Sequence, residues 1–242
     1  MALNANLEKL PSSKKIASFQ KMMIAWYMEN GREFPWRKKS IPKYQKIVSE
    51  VLLQRTRAET VATFFPAFIL RFPSWNALAT TPESEMATFI RPIGLWQRRA
   101  SVLASLAMEM IRRNGRFPRD RQEIESLPGV GQYIANAIQL FCHGEPMPLL
   151  DVNMARVLER YFGPRILTDI RHDPYLQQLS LQIVNCDTPQ IINWAILDLA
   201  SLVCKARNPN HDECPLRQDC LFLNPVRSAP DLKYAVAGTQ RH

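Results

Sequence analysis

Two carboxylates in this chain stand where an acid could do more than meet water. Glu50 lies in Val48-Ser49-Glu50-Val51-Leu52-Leu53-Gln54, a largely apolar stretch. Its neighbours Val51 and Leu52 belong to the stripe that a helix here would bury, so Glu50 falls at the edge of that stripe, where it can line a cleft. Partial burial raises the pKa of a carboxyl and suits it to proton transfer near neutral pH; otherwise a glutamate on a helix is simply solvated. Asp151 follows the apolar run Pro148-Leu149-Leu150 and precedes Val152-Asn153-Met154-Ala155-Arg156-Val157. An aspartate at the start of a helix is ordinarily its N-cap, and taken alone that is the simpler reading.

Between the two acids runs Glu123–Ala137, EIESLPGVGQYIANA. A short helix leads into Leu127-Pro128-Gly129-Val130-Gly131, and a new helix starts at Gln132. Two glycines let the backbone turn tightly and approach a phosphate with no Cβ in the way. The amides of Val130, Gly131 and Gln132 are expected at a helix N-terminus, which favours anions. Such a turn grips a DNA backbone without reading its sequence, although glycine is also common in ordinary helix–helix turns. Further on, Cys204, His211, Cys214 and Cys220 form C-x6-H-x2-C-x5-C, all of them metal-ligand types.

The elements that must position these groups read as helices. Lys15–Asn30 carries Ile16, Phe19, Met23, Trp26 and Tyr27 at helical intervals and stops at Gly31, before an irregular Phe34-Pro35-Trp36. Further helices are expected over about Tyr44–Gln54, Ala58–Arg71, Pro82–Ile90, Gln97–Asn114, Asp120–Ser126, Gln132–Cys142, Met154–Tyr161, Asp173–Cys186 and Pro189–Cys204, with Pro66 kinking or splitting the second. The fold class is all-α.

The chain carries 31 Lys and Arg against 22 Asp and Glu, a formal net charge of +9. That excess suits a polyanion, since neutralised phosphates release condensed counterions, and equally a basic solvated surface. No apolar run approaches the roughly 20 residues of a membrane-spanning helix. The N-terminal MALNANLEKLPSSKK is too polar for a secretory signal. The expected location is therefore a reducing cytoplasm, near the nucleoid, where five cysteines read as core residues or metal ligands and not as disulfides. Cys142 and Cys186, on apolar helix faces, read as packing residues.

LPGVGQYIANAI resembles the helix-hairpin-helix signature of the endonuclease III and mismatch glycosylase superfamily. LLDVNMARVLERYFG resembles the segment carrying that family's catalytic aspartate, and with SEVLLQRT the matching stretches span about Trp36 to Cys220. The resemblance implies two helical domains flanking a DNA-binding cleft. One is a six-helix barrel over 36–148; the other is built from 1–35 and 149–225, with 226–242 as a tail. It implies that a flipped nucleotide enters the cleft, that Asp151 stabilises positive charge on the deoxyribose, that Glu50 protonates the departing base or orients water, and that Asn153 positions Asp151. It places Leu127, Gly129, Val130, Gly131 and Gln132 on the strand, and Gln54 and Arg55 where side chains enter the duplex. Bifunctional relatives carry a lysine at the position of Tyr133, which forms a Schiff base with the sugar; tyrosine cannot. A monofunctional enzyme, with no lysine-dependent strand cleavage, is the expectation.

The family's cluster loop is similar to C-x6-C-x2-C-x5-C, so His211 takes the second cysteine's place. The resemblance implies a 4Fe–4S cluster held by Cys204, His211, Cys214 and Cys220, with a Cys3His zinc site or a three-iron cluster leaving His211 unbound as rivals. Lys205, Arg207 and Arg217 in that loop are expected to meet the DNA backbone. For the substrate, Ile93–Ala100 (IGLWQRRA) and Arg160–Gly163 (RYFG) are similar to the thymine–guanine mismatch glycosylases, which makes thymine or uracil opposite guanine the expected target. The adenine glycosylases acting opposite guanine or 8-oxoguanine share the two acids and often the tyrosine, and a DNA-binding protein without catalysis is a third reading. The expected partner is a duplex with a mismatched or damaged base, bound by a monomer.

Overall fold

The structure, a computed structural model, describes residues 10–225; the expected tail 226–242 lies outside the described residues. Helix α1 (Ser13–Asn30) begins where the Ser12 hydroxyl accepts the Lys15 amide, and it buries Ile16, Phe19 and Met23. After an irregular turn at Phe34–Lys38, α2 (Lys43–Leu53) carries an almost wholly buried face that includes Glu50. Helix α3 (Ala58–Arg71) runs through Pro66 without splitting, contrary to one expectation. The amide hydrogen bond lost at a proline is offset here by burial of Val61, Phe65 and Phe68.

Helix α4 (Trp75–Thr80) has no counterpart in the sequence expectations: six residues are too few to display a period, and Ser74 caps it by accepting the Ala77 amide. Helix α5 (Glu83–Ile90) and the long α6 (Trp96–Arg112) follow, with α4 and α5 both packed on α6. Helices α7 (Arg121–Glu125) and α8 (Gln132–Ile138) form the hairpin. Helix α8 then widens into a π turn at Gln139–His143, ended by Gly144 in the left-handed region. The chain returns as α9 (Val152–Phe162), α10 (Pro174–Val184) and α11 (Pro189–Leu202), against which α1 packs.

No strand forms among the described residues, and none of their helices is long and apolar enough to cross a membrane. Burial is divided between two apolar clusters. One runs from Phe34 to Leu149 and takes in Trp194; the other joins Ile16, Phe19 and Met23 to residues from Met154 to Cys220. The segment 145–151 crosses between them and ends at Asp151.

Candidate active site

Burial decides the chemistry of Glu50. The side chain is 4 % exposed, and loss of solvation raises its pKa to about 7. Three weaker influences act on it: a hydrogen bond from Tyr133 and the charge of Arg37 favour ionisation, while the charge of Asp151 opposes it. The Tyr133 hydroxyl donates to Glu50 Oε2 at 3.1 Å, and burial pushes that phenol far above its ordinary range. Asp151 acts on the pKa of both residues, so the two acids share one electrostatic site.

Asp151 is the N-cap of α9, as its position suggested, and it is also more than that. Oδ1 accepts the amides of Asn153 (2.9 Å) and Met154 (2.8 Å), while Oδ2 accepts the Asn153 side-chain amide at 2.6 Å. Those two amides start the helix at Val152, two residues before the expected Met154. Asn153 Oδ1 accepts from Arg156 Nη1 at 3.1 Å, and Arg156 in turn donates to the carbonyls of Cys204 and Ala200, both at 2.9 Å. The carboxamide orientation of Asn153 is thereby specified from both ends, and the aspartate is tied to the start of the cysteine loop.

The hairpin departs from expectation at one residue. Val130 is buried and its amide donates to Leu127 O at 3.1 Å, closing the turn, so it is not offered to an anion. Gly129 has φ +72°, and a Cβ there would lie 2.3 Å from Val102 Cγ1. Gly131 is extended, faces open space and caps α8 with no side chain. Leu127 is buried beneath the turn, and Gln132 donates to Gln177 Oε1 at 2.9 Å, joining the hairpin to α10.

Gln54 and Arg55 are exposed on the turn after α2, with Arg55 left-handed at φ +56°. Arg99, 3 % exposed, holds this turn to a second one. Its guanidinium donates to Gln54 O, to Thr56 Oγ1 at 2.6 Å, to Ile93 O at 2.8 Å and to Gly94 O at 2.5 Å. The second turn presents Leu95, 47 % exposed and also left-handed at φ +49°. A left-handed non-glycine costs about 1–3 kcal/mol, and Arg99 clamps together the two turns that carry one each. The sequence reading missed Leu95, Arg99 and Arg37. Arg37 is fixed bidentately by Asp198 at 2.7 and 3.0 Å and sits beside the Phe34 and Trp194 rings; its Nε has no partner among the described residues.

Cys204, His211, Cys214 and Cys220 line one cavity, together with Arg160 and Phe222. Three thiols and an imidazole around one void are a soft donor set that fits an iron–sulfur cluster. Among the described residues no three such side chains converge as a single metal ion would require. Arg160 Nη1 approaches Cys204 Sγ at 3.3 Å, and the Phe222 ring lies between the Arg160 guanidinium (4.8 Å) and the His211 ring (6.1 Å). Arg217 pairs with Asp212 at 2.9 Å, so its charge is partly neutralised within the loop. Cys142 is buried and Cys186 half-buried, both packed against apolar clusters.

Residues 48–170 match the profile of the HhH-GPD superfamily of base excision DNA repair proteins, and residues 204–220 match the iron–sulfur binding domain of endonuclease III. A thymine/uracil-DNA glycosylase of Pyrobaculum aerophilum is 37 % identical over 88 % of this chain and 95 % of its own length. An adenine DNA glycosylase of Buchnera aphidicola is 31 % identical over 85 % of this chain, but the match spans only 59 % of that protein. The solved structure of a thermostable thymine-DNA glycosylase superposes with a TM-score of 0.80 at 30 % identity, covering 88 % of this chain and 98 % of the other.

Proposed function

The chain belongs to the HhH-GPD superfamily of base excision DNA repair proteins, and from that premise we propose that it is a monofunctional DNA glycosylase that hydrolyses the N-glycosidic bond of thymine or uracil opposite guanine. The observation that carries this reading is the buried Glu50, hydrogen-bonded by the half-buried Tyr133 and sharing an electrostatic site with Asp151. With its pKa raised to about 7, Glu50 keeps a protonated population at neutral pH and delivers a proton to the departing base. Asp151, whose carboxylate oxygens accept three N–H donors, stabilises the oxocarbenium-like sugar that departure leaves behind. The phenol of Tyr133 orients Glu50 and offers no amine for a Schiff base, so the product is an intact abasic site.

The duplex is held by Gly131 and Gln132 at the head of α8 and entered by Gln54, Arg55 and Leu95 on the turns that Arg99 clamps. The two apolar clusters support a barrel domain over 36–148 and a second domain from 1–35 and 149–225, acting as a monomer in the cytoplasm close to the nucleoid. Cys204, His211, Cys214 and Cys220 would hold a 4Fe–4S cluster, whose part is to pin the loop bearing Lys205 and Arg207. Iron and sulfide analysis of anaerobically purified protein tests this. Zinc without iron overturns the cluster, and a three-iron signal unchanged in His211→Ala removes His211 from the ligand set.

Duplexes carrying T·G, U·G, A·G, A·8-oxoguanine and thymine glycol test the activity, each scored with and without alkali. The expected result is T·G and U·G strands broken only after alkali. Cleavage of A·G but not T·G would move the chain to the adenine reading, which the similarity to the Buchnera protein favours. A chain that binds these duplexes and cleaves none would be a binding protein, a role that gives no reason to keep a buried acid hydrogen-bonded to a tyrosine.

A further inference from the structure

Segment 145–151 must deliver Asp151 to a fixed point opposite Glu50, yet it has no secondary structure of its own. Its sequence, Glu145-Pro146-Met147-Pro148-Leu149-Leu150-Asp151, includes two prolines that donate no amide hydrogen bond. The amides of Glu145 and Met147 bond to the backbone carbonyls of Gln139 and Glu145, and three further backbone groups are taken by two buried carboxamides. Asn193, on α11 and 0 % exposed, accepts from the Leu149 amide at 2.7 Å and donates to Met147 O at 3.1 Å. Asn136, on α8 and 4 % exposed, donates to Pro148 O at 2.8 Å. Each is completed behind the segment, Asn193 by Pro189 O at 2.8 Å and Asn136 by Arg121 Nη1 at 2.6 Å.

The pattern is specific to its task. Leu149 N needs an acceptor and Met147 O, two residues away, needs a donor; a carboxamide presents both in one plane. Asn136 stands three residues after Tyr133 on α8, so one short helix grips Glu50 through the tyrosine and the aspartate's segment through the asparagine. Asn193, on α11, holds the two residues that flank Pro148, Met147 and Leu149. We infer that Asn136 and Asn193 are positioning residues for base excision: together they set the reach of Asp151 toward the sugar against the Glu50 wall. This rests on the glycosylase reading above.

The test compares Asn136→Leu and Asn193→Leu, near-isosteric variants that cannot bond to the segment, with Arg121→Leu, which removes the backing of Asn136 and leaves its bond to Pro148 intact. Three quantities are read: the single-turnover excision rate at saturating duplex, the Kd for a duplex bearing an abasic-site analogue, and the rate against pH. The expected result is a loss of tenfold or more in the saturated rate for both asparagine variants, because misplacing a reacting group by about 1 Å costs on the order of a hundredfold. The Kd should stay within about threefold of wild type, and the alkaline limb should stay in place because Tyr133 still holds Glu50.

A saturated rate within twofold of wild type overturns the inference. So does a loss that appears wholly in Kd, or an Arg121→Leu variant as slow as Asn136→Leu, which would reduce the pair to general packing. If the leucine variants do not fold, Asn136→Asp serves, since its carboxylate keeps Arg121 and sets an acceptor against Pro148 O in place of the donor; an unchanged saturated rate there is equally fatal. A wild-type protein inactive on every duplex would sink the functional reading, whereas normal wild-type excision with unaffected variants would sink only the positioning role.

Discussion

A carboxyl group that donates a proton at neutral pH must be kept from ionising, and at Glu50 burial does this against the pull of Tyr133 and Arg37. The acid form is the working form, so excision is expected to hold steady below a pH of about 7 and to fall about tenfold per unit above it. Tyr133→Phe removes a hydrogen bond that favours the carboxylate and should move that limb to higher pH. A limb that stays put, or moves down, in single-turnover profiles would show that the phenol does not set the acid. The same shift makes a stability prediction. The folded chain binds this proton more tightly than the unfolded chain, whose carboxyl titrates near 4.5. The contribution of Glu50 is therefore complete below 4.5 and lost as pH rises through about 7, a difference on the order of 3 kcal/mol at about 1.4 kcal/mol per unit. Glu50→Gln should melt above wild type at pH 9 and level with it at pH 4. Glu50 was legible because its sequence neighbours are apolar. Arg37 was not, because Arg37-Lys38-Lys39 reads as a solvated basic run and only the return of α11 buries it.

Along the elements, the hairpin separates what the fold demands from what a ligand demands. Gly129 is held at positive φ with Val102 where its Cβ would go; Gly131 is extended with nothing near. Gly129→Ala should lower the melting temperature, through a strained backbone and a contact that forces Val102 to move. Gly131→Ala should leave the melting temperature level or slightly higher, yet weaken duplex binding tenfold or more, since its methyl would enter the open space proposed for a phosphate. Equal duplex affinities for Gly131→Ala and wild type would remove the hairpin head from the interface. The sequence announced both glycines but could not divide these roles, because the division depends on Val102, which only the packing of α6 brings close. Long helices were legible from their 3.6-residue stripes, and their boundaries fell within a few residues of expectation. Helix α4 was not, since Trp75 and Leu78 alone show no period, and the pairing of the Gln54 and Leu95 turns through Arg99 joins residues too far apart in sequence for any local pattern to reveal.

At the scale of the whole molecule, two apolar cores meet where Asp198 of α11, 0 % exposed, accepts from both Arg32 and Arg37 of the chain between α1 and α2. One carboxylate thus joins the N-terminal segment to the second core and restrains Arg37, a cation whose charge acts on Glu50. Arg32 is also paired with Glu59 at 2.7 Å, so two guanidiniums meet two carboxylates, and of this cluster it is the Arg37 charge that Glu50 feels as a pull toward ionisation. Asp198→Asn keeps the shape and much of the hydrogen bonding but removes the negative charge. Breaking one side of a buried ion pair typically costs about 3–5 kcal/mol, so denaturant unfolding should show a loss of that order. With its counter-charge gone, Arg37 should draw Glu50 more strongly into its ionised form, and the alkaline limb of excision should shift to lower pH, opposite in sign to Tyr133→Phe. The two readouts separate the two roles of the residue. A stability loss with an unmoved limb would mean that Asp198 joins the cores and no more. A limb that moves to higher pH would mean that Arg37 does not act on Glu50, and the electrostatic account of the acid would fail with it.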